Sequence, residues 1–163
     1  MGGLKAEYPA LLPPGFHGMT MAQLKALCVD GFARSDRRPK IYKGLEQLML
    51  ELSASGLKGE VWVDGSFVTK KLEPDDCDLV VKGDGGQLDY PTPSITAVLG
   101  QYFDDAKRPL VKATIYCDVY LFADYPALHT QYGASKSLAA YWEKEFGTSR
   151  TAGTKGIAVI ALP

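Results

Sequence analysis

The residues whose side chains most clearly indicate a chemical role are two aspartates, Asp76 and Asp78, at the start of an apolar segment. This segment predicts a strand over residues 77–82, and side chains at positions i and i+2 of a strand point to one face, about 6 to 7 Å apart. Two carboxylates at this spacing can share divalent cations, and Mg²⁺ and Mn²⁺ prefer oxygen ligands. The pair therefore predicts a metal site where the strand begins.

A third aspartate, Asp118, is the only charged residue in the middle of another apolar segment, which predicts a strand over residues 111–122. A carboxylate inside such a strand is costly unless it is paired with a cation or bound to a metal. If the two strands are neighbours, Asp118 shares the face of Asp76 and Asp78, and the three form an acid cluster. Three convergent carboxylates can hold two metal ions, which stabilise the attacking and leaving oxygens of a phosphoryl transfer.

Two helices are predicted before the first strand. The segment Thr20–Gln23 has the form of a capping box and predicts a short helix that ends near Gly31. A longer helix follows, capped by Ser35 or Asp36 and closed by Gly56, with leucines and a methionine at positions i, i+3, i+4 and i+7. These apolar positions predict one buried face on the longer helix.

The rest of the chain alternates between strand and helix signals. In chain order the predicted elements are a strand at 60–64, the strand at 77–82, a turn at 83–86, a helix at 94–105, the strand at 111–122 after a break at Pro109, a helix at 137–146 and a strand at 156–162. This order predicts an α/β (α+β) fold with a small, mixed sheet flanked by helices.

Length and composition describe an ordinary folded chain. Its 163 residues predict a single domain over 1–163, with a loop-like head rich in proline and glycine at 1–19 packed on it. The formal net charge of −1 creates no overall basic field, so an anionic partner must be held by a local site. No apolar run has the length of a membrane span, so we expect no membrane association.

The three cysteines, Cys28, Cys77 and Cys117, have no metal-binding spacing and leave one thiol over in any disulfide scheme. A reducing cytoplasm is therefore the expected location. Cys77 and Cys117 each precede an aspartate of the acid cluster. If the two strands are neighbours, the two thiols lie together on the opposite, core-facing side of the sheet.

The order of these motifs resembles the polymerase-β-like nucleotidyltransferase superfamily. Its pattern is a strand ending in Gly-Ser, a linker, Asp-x-Asp on a strand, and a single Asp on a later strand. The matching residues here are Gly65, Ser66, Asp76, Asp78 and Asp118. The longer runs at 62–69 and 73–78, with the head at 12–15 and the tail at 155–157, resemble a small stand-alone branch of that superfamily associated with bacteria and phages.

The resemblance implies a polymerase-β palm-like fold that binds a nucleoside triphosphate with Mg²⁺ or Mn²⁺. In it Gly65 allows close approach of the phosphates and Ser66 supplies a hydroxyl. Asp76 and Asp78 would ligate both the nucleotide-bound and the catalytic metal, and Asp118 would complete the catalytic site and help to deprotonate the acceptor hydroxyl. The product would be an acceptor bearing a nucleoside monophosphate, with pyrophosphate released.

Basic residues are the further candidates to meet the triphosphate. Lys70 and Lys71 are preferred because they lie on the linker between the Gly-Ser turn and the acid cluster. Four others are weaker candidates: Arg108, Lys112, Arg150 and Lys155. Two neighbouring acids are expected to lie outside the site, because Asp64 should stabilise the turn and Asp75 has the parity of a solvent-facing residue.

The acceptor stays open at this point: a protein, an RNA or a small molecule. Stand-alone members of the superfamily often belong to toxin–antitoxin or phage-defence modules, and no acceptor-selecting domain is recognisable, so a homodimer or a toxin or antitoxin partner is expected. An alternative is a nucleotide-sensing or protein-binding, antitoxin-like module that binds without turnover. Hydrolase or nuclease chemistry is a third reading, since two metals can also activate water.

Overall fold

The computed structural model describes residues 6–151 and 153–163, which form a mixed α/β structure around one five-stranded sheet. The strands are β1 (Gly15–Gly18), β2 (Gly59–Asp64), β3 (Cys77–Asp84), β4 (Cys117–Asp124) and β5 (Gly156–Leu162). The helices are α1 (Met21–Lys25), which continues as a π-helical turn (Ala26–Asp30), α2 (Arg37–Ser55), α3 (Gly85–Asp89), α4 (Pro93–Tyr102), α5 (Arg108–Ile115) and α6 (Tyr132–Gly147).

The strand order is β1-β5-β2-β3-β4. Strand β2 is antiparallel to both β3 and β5, whereas β4 runs parallel to β3 and β1 runs parallel to β5. The C-terminal end of β2 therefore lies beside the N-terminal ends of β3, β4 and β5. This end of the sheet is called the acid end, because the acid cluster is located there.

Two hydrophobic cores cover the two faces of the sheet. The larger core lies under α2 and includes the apolar stripe predicted for that helix: Leu45, Leu48, Met49 and Leu52. The smaller core lies under α6 and contains Trp62, Val80, Phe122, Phe146 and Ile157. Burial of these side chains, each worth about 1.5 to 3 kcal/mol, fixes the strands that carry the acids.

Most of the predicted elements are confirmed, and the helix signals explain their ends. The Thr20 hydroxyl accepts a hydrogen bond from the Gln23 backbone, and the Gln23 side chain accepts one from Thr20, which completes the predicted capping box. Gly56 ends α2 in the left-handed region with a φ of 81°. Helix α4 ends at Tyr102, earlier than predicted, and α6 begins at Tyr132, before the predicted start.

The prediction of a strand over residues 111–122 is wrong in its first part. Helix α5 occupies Arg108–Ile115, and β4 begins at Cys117. Pro109 does not break a helix here but lies in its first turn, where a missing N–H costs no intrahelical hydrogen bond. Tyr116 then ends α5 in the left-handed conformation, with a φ of 56°. The apolar content of this segment comes from a helix followed by a strand.

The prediction of a loop-like head at 1–19 is wrong for Gly15–Gly18, which form β1 at the edge of the sheet. His17, predicted in a loop, lies in this strand. A glycine at each end gives β1 little of the apolar alternation by which strands are recognised in a sequence. Residues 1–5 of the predicted head lie outside the described residues.

The predicted turn at 83–86 is also different. Strand β3 extends to Asp84, whose side chain accepts a hydrogen bond from the Gln87 backbone and caps α3. A short helix therefore follows the strand directly. Among the described residues, no helix combines the length and the apolar character that crossing a membrane requires.

Candidate functional site

The acid cluster converges at the acid end of the sheet, as its spacing predicts. In the parallel pair of β3 and β4, Asp78 lies opposite Asp118, and Cys77 lies opposite Cys117. Asp76 immediately precedes β3. Since neighbouring residues alternate between faces, the paired cysteines lie on the other side of the sheet, where both are buried.

The Gly-Ser turn lies against this cluster. Gly65 has a φ of 82° and a ψ of −166°, a backbone conformation that residues with side chains rarely adopt. A Cβ atom at this position would overlap the carboxylate of Asp78, so only glycine lets the turn pass this close. Ser66 then begins a short 3₁₀ turn, Ser66–Val68. The predicted neighbourhood of Gly65, Ser66 and the acids is therefore present.

A fourth aspartate, Asp64, belongs to this neighbourhood, although it was expected only to stabilise the turn. It is the register partner of Asp78 across β2 and β3, and only 4% of its surface is exposed. Lys155 Nζ lies 2.9 Å from Asp64 Oδ1 as an ion pair, but the geometry is not that of a hydrogen bond. Burial raises the pKa of Asp64 to about 6, while the charge of Lys155 acts to lower it.

Two cations from α5 neutralise part of the acid cluster. Lys112 Nζ lies 2.5 Å from Asp76 Oδ2 and 3.3 Å from Asp118 Oδ2. Arg108, one helical turn earlier, places Nε 2.7 Å from Asp118 Oδ1. Their helical spacing of i and i+4 puts both cations on one face of α5. The sequence prediction missed this arrangement because it assigned Lys112 to a strand.

Burial and these contacts shift the pKa values of Asp78 and Asp118 in opposite directions. Burial, followed by the charges of Asp76 and Asp118, raises the pKa of Asp78. Burial also acts to raise the pKa of Asp118, but hydrogen bonds and charge from Arg108 and Lys112 outweigh it and hold that pKa below its ordinary value. The hydrogen bond to Asp76 raises the pKa of Lys112. The acids of the cluster therefore have unequal affinities for a proton, with Asp78 holding it more tightly and Asp118 more weakly than an ordinary aspartate.

The donor chemistry of the cluster suits a hard divalent cation, because all of its ligating groups are carboxylate oxygens. Within residues 6–151 and 153–163, however, no three acidic, histidine or cysteine side chains are already arranged around a common metal position. The Lys112 ammonium lies between two of the acids. A divalent cation would therefore have to displace this ammonium group.

A cleft of about 910 Å³ opens at the acid end. Part of its lining comes from the sheet and the linker: the acids Asp64, Asp75, Asp76 and Asp78, the Gly-Ser turn, Thr69, Lys71 and Tyr120. The head at 6–10, helix α6 and the segments 148–150 and 154–155 line the rest. Its volume is within the range of about 300 to 1,000 Å³ that is typical of small-molecule sites. Asp118 does not line the cleft, since its carboxylate is paired with Arg108 and Lys112.

The two preferred basic residues have different positions. Lys71 lines the cleft and forms an ion pair with Asp75, whose side chain is 73% exposed as predicted. The expectation that Asp75 lies outside the site is wrong, because Asp75 also lines the cleft. Lys70 is exposed and does not line the cleft. Lys155, a weaker candidate from the sequence, lines the cleft beside Asp64. The structure therefore brings Lys71, Lys155 and Arg150, but not Lys70, to the cleft.

The linker between the Gly-Ser turn and the acids is held by a buried arginine that the sequence did not reveal. Arg38 is fully buried, and its guanidinium donates hydrogen bonds to the backbone carbonyls of Cys28, Phe67, Thr69 and Lys71. These carbonyls are up to 33 residues away in sequence. Such a contact leaves no local pattern, so Arg38 resembles any other polar residue of an amphipathic helix.

The fold and the cleft define a mixed α/β protein with a cluster of acids beside a glycine-dependent turn. The chain belongs to a family of unknown function, DUF6932, whose model matches residues 5–161. No curated protein and no solved structure matches the chain. The family description names no activity, so the cleft itself carries the evidence for function.

Proposed function

We propose that the protein is a metal-dependent nucleotidyltransferase with a polymerase-β palm-like fold. It would transfer a nucleoside monophosphate from a nucleoside triphosphate to a hydroxyl of a protein, an RNA or a small molecule, and release pyrophosphate. One observation carries the proposal: Asp78 and Asp118 are register partners, with Asp76 beside them and Gly65 against Asp78, and Asp76, Asp78 and Gly65 line one end of a cleft of about 910 Å³.

The residues of the cleft support distinct roles in binding. The triphosphate would lie beside Ser66, whose hydroxyl and backbone N–H can donate to phosphate oxygens. Lys71 and Lys155 line the same space and supply positive charge. The acid cluster would hold Mg²⁺ or Mn²⁺, which when bound offsets phosphate charge and activates the acceptor hydroxyl. Lys112 would then release the carboxylates of Asp76 and Asp118 that it contacts.

The test is nucleotide transfer in vitro. The protein is incubated with Mg²⁺ or Mn²⁺, candidate acceptors and each of four triphosphates labelled at the α-phosphate, and both label transfer and pyrophosphate are measured. Replacing Asp76 and Asp78 together by Ala should abolish both signals. The control Asp105→Ala, which removes an exposed carboxylate outside the cleft, should retain them. Thermal melting of each variant checks its folding, and transfer that survives the double substitution would overturn the proposal.

A second candidate is a nucleotide-sensing or protein-binding module without turnover, antitoxin-like in its role. The observation that favours it is the pairing of Lys112 and Arg108 with the acid cluster, because internal cations can replace metals in a site that only binds. Tight nucleotide binding with neither label transfer nor pyrophosphate release would support this candidate. Both candidates are compatible with a toxin–antitoxin or phage-defence role, which sequencing of neighbouring genes would test.

A further inference from the structure

A row of aromatic rings runs along the cleft, starting beside the acid cluster. The Arg108 guanidinium lies over the Tyr120 ring, 3.9 Å from its centroid. The Tyr120 and Trp142 centroids are 4.6 Å apart, and those of Trp142 and Tyr141 are 5.2 Å apart. This aromatic row, Tyr120-Trp142-Tyr141, therefore connects Arg108, which is paired with Asp118, to the rings of α6 that line the cleft.

The last ring of the row is accessible. Tyr120 and Trp142 are half-buried and pack on the smaller core, which accounts for them as structural residues. Tyr141 is 52% exposed and lines the cleft. An aromatic ring exposed on the wall of a concave site offers a surface for stacking, which is worth about 1 to 3 kcal/mol per nucleobase.

A carboxylate follows Tyr141 on the same helix face. Glu145 is one turn further along α6, so it lies on the same side of the helix, and it also lines the cleft. A carboxylate only accepts hydrogen bonds at neutral pH. A base that stacks on Tyr141 with its edge towards Glu145 must therefore present hydrogen-bond donors to the Glu145 carboxylate.

We propose that Tyr141 and Glu145 form the base subsite of the nucleotide, with the base stacked on Tyr141 and its amino edge donating to Glu145. This inference rests on the proposed function, because it takes the acid end as the phosphate subsite. Guanine offers two adjacent donors to one carboxylate, whereas adenine and cytosine offer one amino group. The N3–H of uracil is flanked by two carbonyls that repel a carboxylate. The subsite therefore favours GTP and disfavours UTP.

Binding measurements separate this subsite from the phosphate subsite. Calorimetric titrations with Mn²⁺ compare GTP, ATP, CTP and UTP with inorganic tripolyphosphate, which has no base. The wild type should bind GTP about tenfold more tightly than UTP. Glu145→Gln should remove this preference, and Tyr141→Leu should weaken all four nucleotides about tenfold while tripolyphosphate is unchanged. The control Glu143→Gln removes an exposed charge from α6 outside the cleft and should behave as the wild type.

The possible failures are distinguishable. Suppose that tripolyphosphate binds, that the wild type does not discriminate among the four nucleotides, and that Tyr141→Leu binds each of them as tightly as the wild type does. The base subsite is then overturned and the phosphate subsite stands. If Glu143→Gln changes base preference as strongly as Glu145→Gln, the preference comes from the overall charge of α6, and the proposed contact with Glu145 is overturned. If neither tripolyphosphate nor any nucleotide binds, the proposed function fails and the base subsite fails with it.

Discussion

Lys112 is the residue on which the behaviour of the acid cluster most depends. It lies within ion-pair distance of both Asp76 and Asp118, so its ammonium group competes with any divalent cation for the same oxygens. The side chain is 42% exposed, so each contact contributes only about 1 kcal/mol or less. The competition is therefore modest, and metal binding can win.

Lys112→Met is expected to bind Mn²⁺ about fivefold more tightly than the wild type, because no ion pair has to be broken. Electron paramagnetic resonance of free Mn²⁺ measures this affinity directly, without a nucleotide. Lys136→Met, which removes an exposed lysine of α6, is the matched control and should leave the affinity unchanged. Weaker Mn²⁺ binding by Lys112→Met would show instead that Lys112 holds the acids in their binding arrangement.

Asp64 gives the molecule a specific pH dependence. Burial raises its pKa from an ordinary 3.8 to about 6, so the folded protein holds this proton more tightly than the unfolded chain. The contribution is fully present below pH 3.8 and is lost as the pH rises through about 6. Its size is at most about 3 kcal/mol, at 1.36 kcal/mol per pKa unit.

Asp64→Asn cannot ionise, so it should lack this decrease in stability between pH 4 and 6. Urea unfolding in EDTA at several pH values compares the two proteins, and the difference between their free energies of unfolding isolates Asp64 from the other acids. A constant difference across this pH range would contradict the assignment.

At the scale of the elements, the linker between β2 and β3 is organised by α2. Arg38 donates to carbonyls at Phe67, Thr69 and Lys71, and Glu73 accepts hydrogen bonds from the backbone N–H groups of Asp36 and Arg37 at the start of the helix. A side chain of the helix thus satisfies backbone carbonyls of the linker, and a side chain of the linker satisfies backbone N–H groups of the helix. Because Lys71 is one of the linker residues held by Arg38, we expect its position in the cleft to depend on these hydrogen bonds.

Arg38→Met is expected to lower the free energy of unfolding by about 3 kcal/mol or more, because it leaves several buried carbonyls without a donor. Urea denaturation measures the loss. Arg34→Met, an exposed neighbour before α2, should change stability by less than about 0.5 kcal/mol. A loss below 1 kcal/mol for Arg38→Met would mean that water or a rearranged linker satisfies those carbonyls.

The elements also show what sequence reasoning can reach. The faces of Asp78 and Asp118 were predictable, because strand parity is local and both residues follow a cysteine in an apolar run. Their convergence also required β3 and β4 to be neighbours, which could be stated from the sequence only as a condition. Helix α5 was not, since the apolar residues around Lys112 suit a strand as well as a helix over so short a segment. The contacts of Arg38 and the Asp64–Lys155 pair join distant parts of the chain, and no local pattern encodes them.

At the scale of the whole molecule, strand directions explain where the cleft lies. Because β2 ends where β3, β4 and β5 begin, the Gly-Ser turn, the acids and Lys155 all lie at the acid end of the sheet. Helix α6 covers the face of the sheet on which Asp78 and Asp118 lie, and its Tyr141 and Trp142 line the same cleft together with Tyr120 of β4. The proposed phosphate and base subsites are thus built by different layers, one by the sheet and one by a helix.

The burial of the cysteines beneath the acids has a practical consequence. Cys28, Cys77 and Cys117 are all buried, so reagents in solution do not reach their thiols in the native protein, and burial also raises the pKa of Cys28 to about 12. A cysteine introduced at the fully exposed Leu128 would be the only site open to maleimide dyes. The wild-type sequence is therefore already a background for site-specific fluorescent labelling, with no native cysteine to remove.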